Sequence, residues 1–171
     1  MRALIVKILY KIHSMSERAY WSYIYTQYKS RYAIHDNFLF NGKNIKLLGD
    51  GQIILGANSY IGDNSTFSVN KGFKISIGKG CKMSHNIKMY SNTFIVDQDF
   101  SLSPLEERSA DIIIGDNAWI GANVFISPGV TIGDNAVIGA NSLVNKNVEA
   151  FAIVGGVPAV FIRYKNIAPQ K

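Results

Sequence analysis

Apolar residues recur along this chain in two rhythms, and each rhythm predicts a different element. Over residues 1–34, Leu4, Ile5, Ile8, Leu9, Ile12 and Met15 return at three- and four-residue spacing, with Arg2, Lys7 and Lys11 on other faces. A second stretch, AYWSYIYTQYKSRY, places Trp21, Ile24, Tyr25, Tyr28 and Tyr32 at similar spacing. Both stretches predict helices. From about residue 45 the step becomes six. Ile114, Ile120, Ile126, Ile132, Ile138 and Val144 follow one another without a break. Ile, Leu and Val fill about a quarter of the chain, so this run would arise by chance about twice in ten thousand trials. Upstream, Leu55, Ile61, Phe67 and Phe73 keep the same step, and Ile77, Met83, Met89 and Ile95 resume it after a shift.

Neither an α-helix nor a hairpin sheet has a six-residue period, whereas a prism-shaped coil does. Each hexad supplies a short strand and a corner. The aliphatic residue points inward, and the Asn or Gly at 117, 123, 129, 135 and 141 suits a left-handed backbone at the corner. Three hexads close a coil of about 18 residues, and stacked coils satisfy one another's backbone hydrogen bonds. The prediction is an all-β solenoid of roughly five coils built from about 45–95 and 114–150. The register breaks after Ile95 and resumes at Ile114, so residues 96–113 are expected to project as a loop. The organisation expected is an N-terminal helical segment over 1–44 and a solenoid domain over 45–171. Helices would cover one end of the prism and the segment after Ala150 would cap the other.

A chain of 171 residues fits one domain, and 47% hydrophobic with 18% charged residues excludes a disordered protein. The lone cysteine, Cys81, excludes a disulfide framework and a cysteine-based zinc site; its hexad position predicts burial without a chemical role. No apolar run reaches the roughly 18 residues that span a bilayer, and MRALIVKILY lacks a signal-peptide cleavage site, so a cytoplasmic location is expected. Of the net charge of +6, most sits in residues 1–34, where six basic residues face Glu17 alone. Basic charge confined to one short segment argues against nucleic acid as a partner. Two readings of that segment stand. Its helices pack on the body or on a neighbouring subunit, or they lie on an anionic membrane surface as a peripheral contact at the inner face.

The run IIIGDNAWIGANVFISPGVTIGDNAVIGANSLVNKNV, followed by FAIVGGVPAVFIR, resembles the C-terminal half of galactoside, maltose and surface-polysaccharide O-acetyltransferases. These belong to the hexapeptide-repeat acyltransferases of left-handed parallel β-helix fold, and the resemblance covers about 45–165. It implies a homotrimer, acetyl-CoA as acyl donor in a groove between neighbouring prisms, and a sugar or glycan acceptor. It implies further that Trp119, Gly121, Ala122, Gly139 and Ala140 line or flank the groove, with Lys146 and Arg163 toward the phosphates and adenosine end. The competing reading has the small residues serving coil geometry alone and the two cations solvated. The same prism also serves zinc hydratases with three clustered histidines. Here only His13, His35 and His85 occur, the first two outside the coils, which argues against a metal site.

Acetylating a hydroxyl calls for a general base. The resemblance puts that base as a histidine just before the extruded loop, where this chain has Phe94. His85, at a corner in MSHNIK, is one replacement; Asp97 and Asp99, at the start of the loop, are others. Tyr90, Ser91 and Asn92 are candidates for acceptor hydrogen bonds. The function these features imply is an acetyl-CoA-dependent O-acetyltransferase of a sugar hydroxyl, in surface polysaccharide or glycolipid assembly. An N-acetyltransferase of a nucleotide-linked amino sugar and a catalytically idle acyl-CoA-binding trimer are the alternatives.

Overall fold

The computed structural model describes residues 2–167. It opens on a single helix, α1, spanning Arg2–Arg31. Two helices were expected, but neither Gly nor Pro separates the two apolar stretches, and nothing stops the first helix from running into the second. After α1 the chain winds as a left-handed coil with three flat faces, interrupted by one excursion over 92–109. The first face stacks strands Ala33–Ile34, Gln52–Leu55, Lys74–Ile77, Ile112–Ile114 and Thr131–Ile132 in parallel. The second stacks Leu39–Asn41, Tyr60–Gly62, Lys82–Met83, Trp119–Ile120, Val137–Ile138 and Ala152–Gly155, with Val160–Tyr164 added antiparallel at its end. The third stacks Lys46–Leu48, Thr66–Ser68, Lys88–Tyr90, Phe125–Ile126 and Leu143–Val144. The coil thus begins at Ala33, about twelve residues before the hexad pattern becomes readable.

The inward positions form a continuous apolar column. Ile61, Phe67, Met83, Met89, Ile120, Ile126 and Ile132 are all fully buried. At the corners Asn64, Asn86, Asn117, Asn123, Asn135 and Asn141 take φ between 56° and 61°, the left-handed region that asparagine tolerates. At the corner joining the second and third faces these amides bond in a ladder: Asn86 Nδ2 donates to Asn123 Oδ1, and Asn123 Nδ2 to Asn141 Oδ1, both at 2.9 Å.

The second half of α1 covers the N-terminal end of the prism. Tyr25 stacks on Phe40 with ring centroids 4.4 Å apart, and its hydroxyl donates to the Gly42 carbonyl at 2.9 Å. Burial pushes the Tyr25 phenol up to about 12, so it stays a donor. Tyr32 is buried beside it and donates to the Gly49 carbonyl at 3.1 Å. Glu17 pairs with Lys43 at 3.0 Å. At the other end, Val160–Tyr164 folds back on Ala152–Gly155.

Candidate functional site

The chain leaves the prism at the corner between the third and first faces. It does so four residues earlier than the loop boundary the hexads suggest, and as a hairpin rather than an open loop. Asn92–Phe94 pairs antiparallel with Glu107–Ser109, and Gln98 braces the tip, donating to the Ile95 and Glu106 carbonyls at 2.7 and 2.9 Å. The hairpin stands over the outer side of the third face and encloses a cleft of about 450 Å³. Tyr90 and Phe125 line it from the third face, Phe94, Ile95 and Val96 from the hairpin, and Ser127 and Pro128 from the corner one coil on. Asp97 and Arg108 are the charged groups among the lining residues. This is an amphipathic pocket, combining aromatic surface with polar and charged groups.

Of the residues singled out as acceptor contacts, Tyr90 and Asn92 line this cleft and Ser91 does not. Ser91 sits in the slot that Val69 fills one coil earlier, and both are fully buried. Its Oγ accepts from the Asn70 amide at 2.8 Å, so that hydroxyl is spent on the prism. The Asn92 side chain donates to Glu107 at 3.0 Å, bracing the hairpin. Asp97 reaches the cleft, whereas Asp99 caps a turn: its Oδ1 accepts from the Ser101 amide at 2.9 Å. Hydrogen bonds from Ser101 hold the Asp99 carboxyl below its ordinary range, which makes it a poor proton acceptor.

His85 lies at the other edge of the third face, at the corner joining it to the second. His85 precedes the strand Lys88–Tyr90 and Tyr90 ends it, so the width of the face lies between them. The ring is exposed, and Ser84 Oγ lies 3.3 Å from Nδ1. Gly121, Ala122, Gly139 and Ala140 occupy this same corner in the next two coils: Ala122 and Ala140 continue the row of His85, and Gly121 and Gly139 the row of Ser84. Gly121 is buried, and a Cβ there would sit 2.6 Å from the Ala140 nitrogen, so its missing side chain serves coil stacking. Ala140 is exposed, and Ala122 and Gly139 are half-buried. Trp119 projects from the second face beside them, 56% exposed.

Lys146 belongs instead to the hairpin's corner, two coils further on, where it lines a cavity of about 430 Å³ with Val144, Phe161 and Tyr164. Arg163 lies on the terminal antiparallel strand, its guanidinium donating to the Tyr164 carbonyl at 3.0 Å. Cys81 is buried, and burial pushes its thiol up. Phe125 and Arg108 were not singled out from sequence. Phe125 is a hexad position preceding an inward isoleucine, so an outward aromatic one coil beyond Tyr90 was the available signal; Arg108 becomes meaningful only through the hairpin pairing.

The fold is a left-handed hexapeptide β-helix with one extruded hairpin. Residues 111–146 match the family Bacterial transferase hexapeptide (six repeats). The galactoside O-acetyltransferase of Escherichia coli (strain K12) is 34% identical over 143 residues, covering 84% of this chain and 59% of its own length. A maltose O-acetyltransferase structure from Clostridium difficile 630 superposes with a TM-score of 0.61 at 28% identity, covering 88% of this chain and 87% of that one. A galactoside acetyltransferase in complex with coenzyme A superposes at 0.54 with 32% identity, over 75% and 62%. The chain belongs to the hexapeptide-repeat acetyltransferases. It spans 57% to 66% of the length of curated relatives such as these.

Proposed function

We propose that this protein transfers an acetyl group from acetyl-CoA to a sugar hydroxyl, at sites shared between neighbouring copies of a cyclic trimer. The observation that carries this reading is the split of candidate groups between two edges of one face. The aromatic cleft with Asp97 stands at one edge, and the His85–Ala122–Ala140 row stands at the other, on the same coils. Within one chain the two cannot meet. Threefold closure can bring the hairpin edge of one copy to the His85 edge of the next.

In this arrangement the pantetheine arm lies along Ala140 and Ala122, where small side chains allow close approach, with its thioester at His85. Trp119 flanks the arm, and Lys146 and Arg163 serve the phosphate and adenosine end. The acceptor rests on Tyr90 and Phe125, oriented by Asp97 and Asn92. His85 takes the hydroxyl proton as the oxygen attacks the thioester carbonyl carbon. The tetrahedral oxyanion collapses, the carbon–sulfur bond breaks, and the CoA thiolate leaves with the proton that His85 returns. A cytoplasmic location suits acetyl-CoA as donor, and the galactoside and maltose enzymes among the similar proteins support a glycan acceptor.

The test is release of free CoA thiol against a panel of glycans. Turnover on a hydroxyl acceptor is expected, with His85→Ala lowering kcat by about a hundredfold. Turnover only on amino sugars, or none with acetyl-CoA still bound, would refute it.

A further inference from the structure

The first half of α1 has no counterpart in the reaction and no cover on the prism. From Arg2 to His13 every residue is exposed, and contact with the prism begins at Ser14 and Glu17. Yet Leu4, Ile5, Ile8, Leu9, Ile12 and Met15 form a stripe along it, each 49% to 64% exposed. The direction of the stripe is fixed by the second half of the helix. Tyr25, Tyr28 and Tyr32 turn toward Phe40 and the prism. At 100° per residue, the apolar stripe falls on the opposite side of the helix and continues through Ala19 and the exposed Tyr23. The prism that α1 caps therefore cannot cover the stripe by any bend short of reversing the helix.

Charge identifies what can. Lys7, Lys11 and Arg18 follow at spacings of four and seven along the flank between the stripe and the prism-facing side, while Arg2 borders the stripe's other edge. The segment's only acid, Glu17, faces the prism and is paired with Lys43. A second copy laid stripe to stripe would bring cationic edges together with no carboxylate to meet them. No helix among the described residues is long and apolar enough to cross a membrane, so the segment is not a span.

We propose that residues 2–16 dock in-plane on an anionic lipid bilayer. The stripe enters the headgroup–acyl boundary, the lysines and arginines meet lipid phosphates, and the prism hangs from the far side of the helix. The surface is independent of the reading of the acetyl-transfer site.

The experiment is co-sedimentation of the full chain with phosphatidylcholine vesicles, with and without phosphatidylglycerol at about one lipid in three. Binding at least about tenfold stronger to the anionic vesicles is expected, and it should weaken as salt rises. Ile8→Asp with Ile12→Asp should abolish it, while Lys7→Glu with Lys11→Glu should erase the preference between vesicles. Circular dichroism melting checks that each variant folds; should the aspartate pair not fold, the two vesicle compositions still decide for the unaltered chain. Equal pelleting on both vesicles, or none on either, overturns the proposal. So does light scattering that shows the unaltered chain in assemblies which Ile8→Asp with Ile12→Asp splits, since the stripe would then lie between copies.

Discussion

Tyr90 and Phe125 lie nearly parallel on adjoining coils, their ring centroids 5.7 Å apart at 18°. Parallel pairing of Lys88–Tyr90 with Phe125–Ile126 sets them on the outer side of the third face, the side away from the core. The hairpin that leaves the prism two residues after Tyr90 closes over them. Two consecutive coils thus supply a stacked pair of aromatic rings as the floor of the cleft, without borrowing anything from the core.

Removing half of that floor should be read in acceptor binding. Phe125→Ala is expected to raise KM for the acceptor about fivefold to tenfold, in line with the roughly 1 kcal/mol of an aromatic contact, and to leave KM for acetyl-CoA unchanged. Steady-state kinetics with either substrate varied would check this.

A shared site makes a sharper demand. His85→Ala and Asp97→Asn should each be inactive or nearly so alone. Mixing them through unfolding and reassembly should restore about a quarter of normal activity, because a site between copies draws one residue from each. No recovery on mixing would place both residues in one copy's site.

Gly121→Ala separates a stacking role from a binding one. The added methyl would meet the Ala140 nitrogen at 2.6 Å, an overpacking that costs about 1–3 kcal/mol. The denaturation midpoint should fall accordingly. Ala140→Ser, at the exposed position of the same corner, should leave that midpoint unchanged.

Asp99 offers a pH test whose sign is fixed. Its carboxyl lies below the ordinary value of 3.8 because Ser101 bonds the ionised form. The turn is therefore held fully above that value and released as pH falls through the lowered one. The Ser101 amide resonance should move with acid, and Asp99→Asn should keep kcat within about twofold.

Cys81 should resist reagents. Burial raises the thiol, and Sγ lies 3.0 Å from the Gly115 carbonyl. A disulfide-exchange reagent at mildly alkaline pH should label it only after denaturant is added.

Reading the hexads from Ile114 to Val144 was enough to define the prism, because each inward aliphatic is followed by the small and left-handed residues that a corner requires. The first coil escaped that reading. Phe40 stands where isoleucine would announce the period and Phe38 where a small residue would, since the outer end of this coil packs against the tyrosines of α1. The site was legible in parts. Tyr90, Asn92 and Asp97 reach the cleft as their order suggests, but Ser91 turns inward, and a strand-like alternation does not reveal where a corner reverses it. Asp99 and Arg108 depended on the hairpin, whose pairing joins residues far apart in a polar stretch with no period of its own.

The corner where the hairpin departs is stitched shut beneath it: the Ala110 amide donates to the Ser91 carbonyl at 2.8 Å, as though residues 92–109 were absent. The coil consequently sets no limit on the length or composition of the excursion it carries. A hairpin from another member of the family could be transplanted between Ser91 and Ala110, carrying its own acceptor preference onto an unaltered scaffold. Under the proposed reaction, acceptor choice would be a detachable part, free to diverge while the coils beneath stay as they are.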